Sequence, residues 1–476
     1  MTLLRDRLKE DDAMSYSHQV KLKNGKLQLY ANQSIRSTIS PNVYQIANNQ
    51  LQIPKQLFFS LTPDVHVNGE TCIGTTAVWN LKDGFISPSI VGTDIGCGIR
   101  VHVTTLHKKD IADIRIRQKI VRYIEKFIPL TEQIPSHYRS LSLSDIIKNG
   151  LHALAPKFLN NRSFTHVEAS SFKLNTDYLP HIHPQSWKKA KHQLGTLGSG
   201  NHFIELQAVT IPDDKKELAE AWGLFEGQVI FLIHSGSRAW GKSLESHYTQ
   251  DFAVAMRERK LTNGKRSLLY LPISSPEAKK YFHLMASAMN YALVNRHLIA
   301  FGIENALKQI FGNDMKSTLL YDLMHNYALV EEYQNTQYLV HRKGTTKALP
   351  ANHKNNPAAY RSTGHPALIP GSMGTPSYIM VGEKEVEKNF YSICHGAGRI
   401  FSSHKTTEST NIQKKNNTLS LNEKEFVVLN QWTKERIQEE SPSTYKEVDQ
   451  VIDTIVGAKL ASVVAKCKPM AVIKAR

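Results

Sequence analysis

A chain of 476 residues, 41% hydrophobic and 21% charged, has apolar material for a substantial core and the charge content of an ordinary soluble globular protein. Transmembrane and disulfide-framed classes are excluded. The longest candidate apolar stretch, residues 229–233, is far too short to cross a bilayer, and the opening MTLLRDRLKEDDAMS is charged where a signal peptide needs an apolar run. Four cysteines, Cys72, Cys97, Cys394 and Cys467, form no CxxC pair. A reducing, cytoplasmic setting is expected, and the excess of 59 Lys+Arg over 42 Asp+Glu, net +17, points to a polyanionic partner, nucleic acid first.

Residues 1–55 are polar, with a hairpin turn predicted at Asn24-Gly25. Residues 58–74 gather Asp64, His66 and Glu70 into a segment that reads as loop-rich, and short strands are predicted at 77–79 and 85–90. The stretch 91–100, VGTDIGCGIR, places Asp94 and Cys97 three residues apart among glycines that permit tight turns. Residues 100–106 alternate as a strand, with Val101, Val103 and Thr105 on one face. Apolar positions 111, 114, 120, 121, 124 and 127 predict a core-packing helix with a basic outer face. The basic, His-rich stretch 130–185 has irregular periodicity and reads as a solvated insert, with an RNA-facing surface as the alternative.

Farther on, LGTLGSGNHFIEL ends in a strand, and residues 229–233 form a buried strand leading to His234 and SGSR. Residues 277–311 are strongly helical, with Tyr281, Leu284, Ala288, Tyr291 and Leu298 on one face. Strands follow at 338–341 and 378–381, an exposed loop at 405–418, and a final amphipathic helix at 445–467. Strands and helices intermix without a βαβ rhythm, repeat or linker. The expected fold is therefore α+β: one domain over 1–476, with mixed or antiparallel sheets and surrounding helices about a central cleft, and a variable basic insert around 130–190.

Three groups of residues carry chemistry. Asp94, Cys97, His202, His234 and His325 offer oxygen, sulfur and nitrogen ligands from four segments, and the thiolate can bridge two ions; the set suits Mn(II), Zn or Fe(II) alike. Taken singly, each histidine reads first as an ordinary core or surface residue. The loops GSGNH, SGSR, PGSMGTPS and HGAGR can aim backbone N–H groups at phosphates, with Arg238, Arg342, Lys343, Arg399 and Lys474 to neutralise them. No Walker A sequence occurs, and no GxGxxG follows a strand. His395, in front of a glycine turn, is a competent phosphoryl or nucleotidyl acceptor or else a buried turn histidine.

Taken together, PDVH, VGTDIGCG, LGTLGSGNHFIE, HSGSR, VHRKGTT, PGSMGTPSYI and HGAGR resemble the RNA-splicing ligase RtcB family, in order, from about Pro63 to Lys474. The resemblance implies an RNA ligase that uses GTP and two Mn(II) ions to join a 2′,3′-cyclic phosphate or 3′-phosphate end to a 5′-hydroxyl end. It implies one ion on Asp94, Cys97 and His202, the other on Cys97, His234 and His325, and His395 as the residue that carries GMP. The implied nucleotide contacts are Asn201, His202, Glu205, His325, Asn326, Pro370, Gly371, Ser372, Met373, Ser377, His395, Gly396, Ala397, Gly398 and Lys474, with Arg238 and Arg399 on RNA or phosphate. RNA ends, GTP and an archease-type activator are the implied partners, in tRNA splicing or RNA repair.

The chain departs from the family pattern in several places. It reads Ser402-Ser403-His404-Lys405 after HGAGR, Ala239-Trp240-Gly241 after HSGSR, Val67-Asn68-Gly69-Glu70 after PDVH, and Lys474-Ala475-Arg476 at the end. Two other readings use the same residues: an RNA-binding or repair protein that ligates weakly, and a two-metal cyclic-phosphate phosphoesterase.

Overall fold

The computed structural model describes residues 15–261, 268–400, 414–415, 418–422, 425–430 and 440–475. The Asn24-Gly25 turn closes a hairpin between Ser17–Leu22 and Gly25–Tyr30. That hairpin opens a six-stranded sheet that continues through Gln56–Asn68, Thr71–Asn80, Thr336–Lys343 and Asn326–Tyr333. A ten-stranded sheet runs Ser317–Met324, Gly98–His107, Gln228–Ser235, Phe203–Thr210 and Ala461–Lys474, then through three short strands ending at Lys414–Lys415. Ser377–Gly382, paired in turn with Ala367–Ile369, joins the same edge of Ala461–Lys474 as those short strands, nearer its start. Most pairings are antiparallel, and the two sheets with their helices form the expected α+β architecture.

The helix Pro276–Phe311, 36 residues long, is buried nearly all round from Leu284 to Ile303, more fully than the one-faced pattern predicts. Its Ile299, Ala300 and Ile303 pack with Phe231 and Ile233 of the large sheet and with Ile120 and Ile124 of the helix Ile114–Phe127. Among the described residues no helix is long and apolar enough to cross a membrane.

Four expectations need correction. The stretch 58–74 is not loop-rich: it is two paired strands, Gln56–Asn68 and Thr71–Asn80. Their register jumps from Leu61↔Thr75 to His66↔Ile73, so residues 62–65 bulge out of the ladder. Residues 85–90 split into a two-residue strand, Phe85–Ile86, and a helical turn, Pro88–Val91, capped by the Ser87 hydroxyl.

The stretch 130–185 is not a solvated insert. Tyr138, Ile146, Ile147, Leu151 and Phe158 are buried, and the long helix pins the segment: Asn290 bonds Phe172 and Ile147, the Tyr138 hydroxyl donates to the Leu298 carbonyl, and His297 meets the Phe158 carbonyl. Finally, 445–467 is not one helix. The helix Val448–Gly457 stops, Lys459 takes a left-handed conformation, and Ala461–Lys474 runs as a strand, where Pro469 sits at a register shift instead of breaking a helix. The loop expected at 405–418 lies mostly outside the described residues; 414–415 and 418 are strand positions.

Candidate active site

Antiparallel neighbours place the start of one strand beside the end of the next. In the large sheet this brings four segments to one rim. Cys97 precedes Gly98–His107, His202 precedes Phe203–Thr210, His234 lies at the end of Gln228–Ser235, and His325 follows Ser317–Met324. Register fixes their neighbours: Phe203 pairs with His234, and Gly98 pairs with both Ser235 and Met324. The Asp94–Cys97 loop is tied down by Gly96 N–H to the Asn326 carbonyl (2.9 Å), His325 N–H to the Cys97 carbonyl (2.9 Å) and the Asn326 amide to the Asp94 carbonyl (3.2 Å). Gly236 permits the close approach, because a Cβ there would stand 2.2 Å from an Asp94 oxygen.

The ligand atoms form two triads, Cys97/His234/His325 and Asp94/Cys97/His202, each with its atoms within 4.8 Å of one another. The Cys97 sulfur lies 3.2 Å from His234 Nε2 and 3.5 Å from His202 Nε2. His234 and His325 face each other through Nε2 at 3.3 Å, and His202 Nε2 is 2.8 Å from Asp94 Oδ2. Burial, then the surrounding imidazoles, holds His234 and His325 far below the ordinary histidine range, so both rings are neutral. Burial opposes the Asp94 charge, but His202 outweighs it and holds the carboxyl down at about 2. Burial and Asp94 push the Cys97 thiol well up.

Protons alone satisfy this cluster poorly. Neutral rings resist a second proton, the thiol resists losing its own, and Nδ1 of His202, His234 and His325 is buried without a hydrogen-bond partner among the described residues. A set of sulfur, carboxylate and neutral imidazole donors packed this closely fits divalent cations, which would draw the thiol to thiolate.

His395 stands beside this cluster, its ring 4.8 Å from that of His325. Asp64, fully buried in the bulge at 62–65, meets His395 Nδ1 at 2.6 Å and accepts the His395 backbone N–H at 3.1 Å through the same oxygen; its other oxygen accepts from Thr62 at 2.6 Å. Burial works against the Asp64 charge, but these hydrogen bonds keep its carboxyl below the usual range. Gly398, with φ +76°, lets the HGAGR turn lie on this bulge: a Cβ would meet the Asp64 carbonyl at 2.2 Å. Lys446, buried, donates to the Pro63 carbonyl at 2.8 Å, and burial lowers its pKa to about 7.

A cleft of about 870 Å³ opens in front of His395 and His234. Of the expected nucleotide contacts, Asn201, Glu205, the 370–373 loop, residues 395–398 and Lys474 line it, as does Arg399. Ser377 stands behind the wall, accepting Gly371 N–H at 3.1 Å and Gln207 at 2.7 Å. His202, His325 and Asn326 lie off the cleft wall, the first two in the ligand cluster and Asn326 bracing the Asp94 loop. Arg238 is also off it, donating to Thr196 and to the Thr131 carbonyl. Arg342 faces elsewhere, buried against Glu331, Tyr327 and Ser392, and Lys343 is buried against Thr71 and Ser89. Trp240, a departure from the family pattern, is a core side chain bonded to Ser287.

Reasoning from sequence missed Asp64, Glu440, Tyr445 and Lys446. Glu440 draws together Lys474 (2.7 Å), Arg399 (3.0 Å) and the Tyr445 hydroxyl (2.6 Å) on one wall of the cleft. Glu205, on the strand paired with that of Lys474, accepts from Gln207 at 2.6 Å. Its burial still raises the carboxyl to about 8, against the pull of Gln207 and Lys474.

A histidine held by a buried carboxylate, set between a cluster of possible metal ligands and a polar cleft, is the active-site arrangement of a group-transfer enzyme. The family described as tRNA-splicing ligase RtcB matches residues 46–475. Proteins of that name are similar over most of the chain: one from Thermococcus kodakarensis is 35% identical, covering 90% of this chain and 90% of its own. Those from Aeropyrum pernix (33% identical, 88% and 88%) and Archaeoglobus fulgidus (33%, 94% and 93%) are similar as well. The chain belongs to the RtcB family.

Proposed function

We propose that the cleft joins an RNA end bearing a 2′,3′-cyclic phosphate or 3′-phosphate to a 5′-hydroxyl end, with GTP and two Mn(II) ions, in tRNA splicing or RNA repair. The observation that carries this reading is the Asp64–His395 pair beside the metal-ligand cluster. With Asp64 accepting from Nδ1–H, the lone pair of His395 is placed on Nε2. Attack of Nε2 on the α-phosphorus forms a P–N bond and releases pyrophosphate, and Asp64 stabilises the imidazolium that results. The RNA 3′-phosphate then takes the GMP and frees His395, and the 5′-hydroxyl displaces GMP to close the strand. A cyclic end is first opened by hydrolysis.

Asp94, Cys97 and His202 would hold one ion and Cys97, His234 and His325 the other; bound there, the ions act as Lewis acids that drain charge from the reacting phosphates. Glu205 offers a carboxylate to the guanine N1–H and N2–H donors, while Asn201, the 370–373 loop and Lys474 contact the rest of the nucleotide. Arg399 serves the RNA or phosphate side of the cleft, with Arg238 behind the Gly198 turn. A cytoplasmic setting and an archease-type activator belong to the same reading.

Incubation with Mn(II) and α-labelled GTP tests the proposal. An acid-labile, base-stable protein–GMP adduct is expected, absent in His395→Ala, together with joining of cyclic-phosphate and 5′-hydroxyl RNA ends. A metal-loaded native protein that forms no adduct refutes it.

A further inference from the structure

The 14-residue helix Ile114–Phe127 buries Ile120, Val121 and Ile124 and turns Arg115, Lys119, Arg122 and Lys126 outward. These four are its only exposed residues, and spacings of four, three and four set them in one straight line. A merely solvated helix face mixes signs, because Glu–Lys pairs three or four apart support a helix while like charges oppose it. Here every such pair along the line is repulsive. The helix's one acidic residue, Glu125, is turned away and accepts from Asn430 at 3.0 Å. Arg115 is paired with the N-cap Asp113 at 2.7 Å; among the described residues Lys119, Arg122 and Lys126 make no ion pair.

The line leads to the cleft by two routes. Just past the helix, the Pro129 and Leu130 carbonyls accept the N–H groups of Leu197 and Gly198 (3.2 and 2.8 Å), and the Thr131 carbonyl accepts Arg238; this is the turn that presents Asn201 and His202. On the other side, Asn430 links Glu125 to the backbone of Lys474, donating to its carbonyl (2.9 Å) and accepting its N–H (3.1 Å).

We propose that this basic line is a track for the RNA phosphate backbone, gripping the strand outside the cleft while its end is joined inside. The proposal rests on the ligase reading above. The line spans about 16 Å at 1.5 Å per residue, enough for several phosphates, and its contacts are charge contacts without base specificity.

The full chain carrying Lys119→Glu, Arg122→Glu and Lys126→Glu tests it, with Gln at the same positions as a second variant that keeps helix propensity without adding negative charge. For a labelled RNA of about 40 nucleotides, affinity at about 150 mM salt should fall tenfold or more, and the slope of log affinity against log salt should become shallower by about 2 for three lost contacts. KM for joining long RNA should rise with kcat held. Adduct formation with GTP, and joining of oligonucleotides too short to reach the helix, should stay at native levels. Unchanged affinity and slope in a Gln variant that forms the adduct normally overturn the track and leave the ligase reading intact. A native protein without adduct overturns the ligase reading while the slope comparison still stands.

Discussion

Two clusters of buried polar groups adjoin at the rim of the large sheet, and they are built on opposite plans. In one, Asp322 accepts from Arg296 (2.7 Å) and Arg100 (3.0 Å), Arg100 also bonds His102 and His297, and Arg296 reaches on to the carbonyls of Gly96 and Ser235. None of these five side chains is left with an unpartnered buried atom. In the other, a thiol pushed up by burial faces neutral imidazoles whose far nitrogens have no partner among the described residues. The first completes its own hydrogen bonding and acts as scaffold; the second is completed only by something that arrives. Arg296 joins them, since the carbonyls it holds flank Cys97 and His234.

The comparison can be broken, and the largest effect should come from the incomplete cluster. Cys97→Ala removes the only sulfur shared by both triads, so metal content and adduct formation should both vanish while the chain stays folded. Metal analysis and the adduct assay check this, and native activity in the variant would refute the shared-ligand assignment. Asp64→Asn should come next. The amide can turn an N–H toward His395 Nδ1 and force the proton to Nε2, lowering adduct formation by about 10³- to 10⁴-fold, as expected for a base whose tautomer is inverted. Rapid-quench measurement with normal metal content separates this from loss of the site.

Arg296→Met strips one partner from the complete cluster and should cost about 3 kcal/mol or more, because Asp322 and the buried carbonyls of Gly96 and Ser235 lose their donor. Urea unfolding in the presence of a chelator reads the scaffold alone, and an unchanged midpoint would erase the contrast between the clusters. The smallest effect sharpens it at the cleft. Glu205, raised to about 8, is largely protonated at pH 7, and guanine donors require the carboxylate. GTP binding near pH 7 should therefore release up to about one proton, falling toward zero above pH 8 and absent in Glu205→Gln. Calorimetry in buffers of different ionisation enthalpy measures it. The same shift makes Glu205 a stability cost. The folded state holds the extra proton between the ordinary carboxyl value and about 8, so stability declines as pH rises through that window and then levels off.

The ligand cluster is legible in the sequence because its residues stand within two positions of a glycine or at the end of an apolar run, where a strand stops at a cleft. Asp64 is not, because Pro63 and the polar residues around it look like loop, and only the pairing partner Thr71–Asn80 reveals a bulge within a strand. The misread stretch 130–185 fails for a related reason. Its short turns carry no periodicity, and its burial is decided by Asn290, Tyr291 and His297, over a hundred residues later. The C-terminal strand reads as helix because the true helix Val448–Gly457 runs into apolar residues with only Gly457 and Pro469 to signal a change. Glu440 and Lys446, charges among other charged and polar residues, offer no local signal at all.

Setting the ligands on adjacent strand ends has a consequence for tolerance to change. Neighbouring strands repeat every 4.7–4.9 Å or so, whatever side chains they carry, and two catalytic ions work about 3.5–4 Å apart. The backbone ladder would thus serve as a ruler for the proposed metal pair. Sequence can drift across the surface and in the loops while the spacing at the centre stays set by peptide geometry, which no substitution alters.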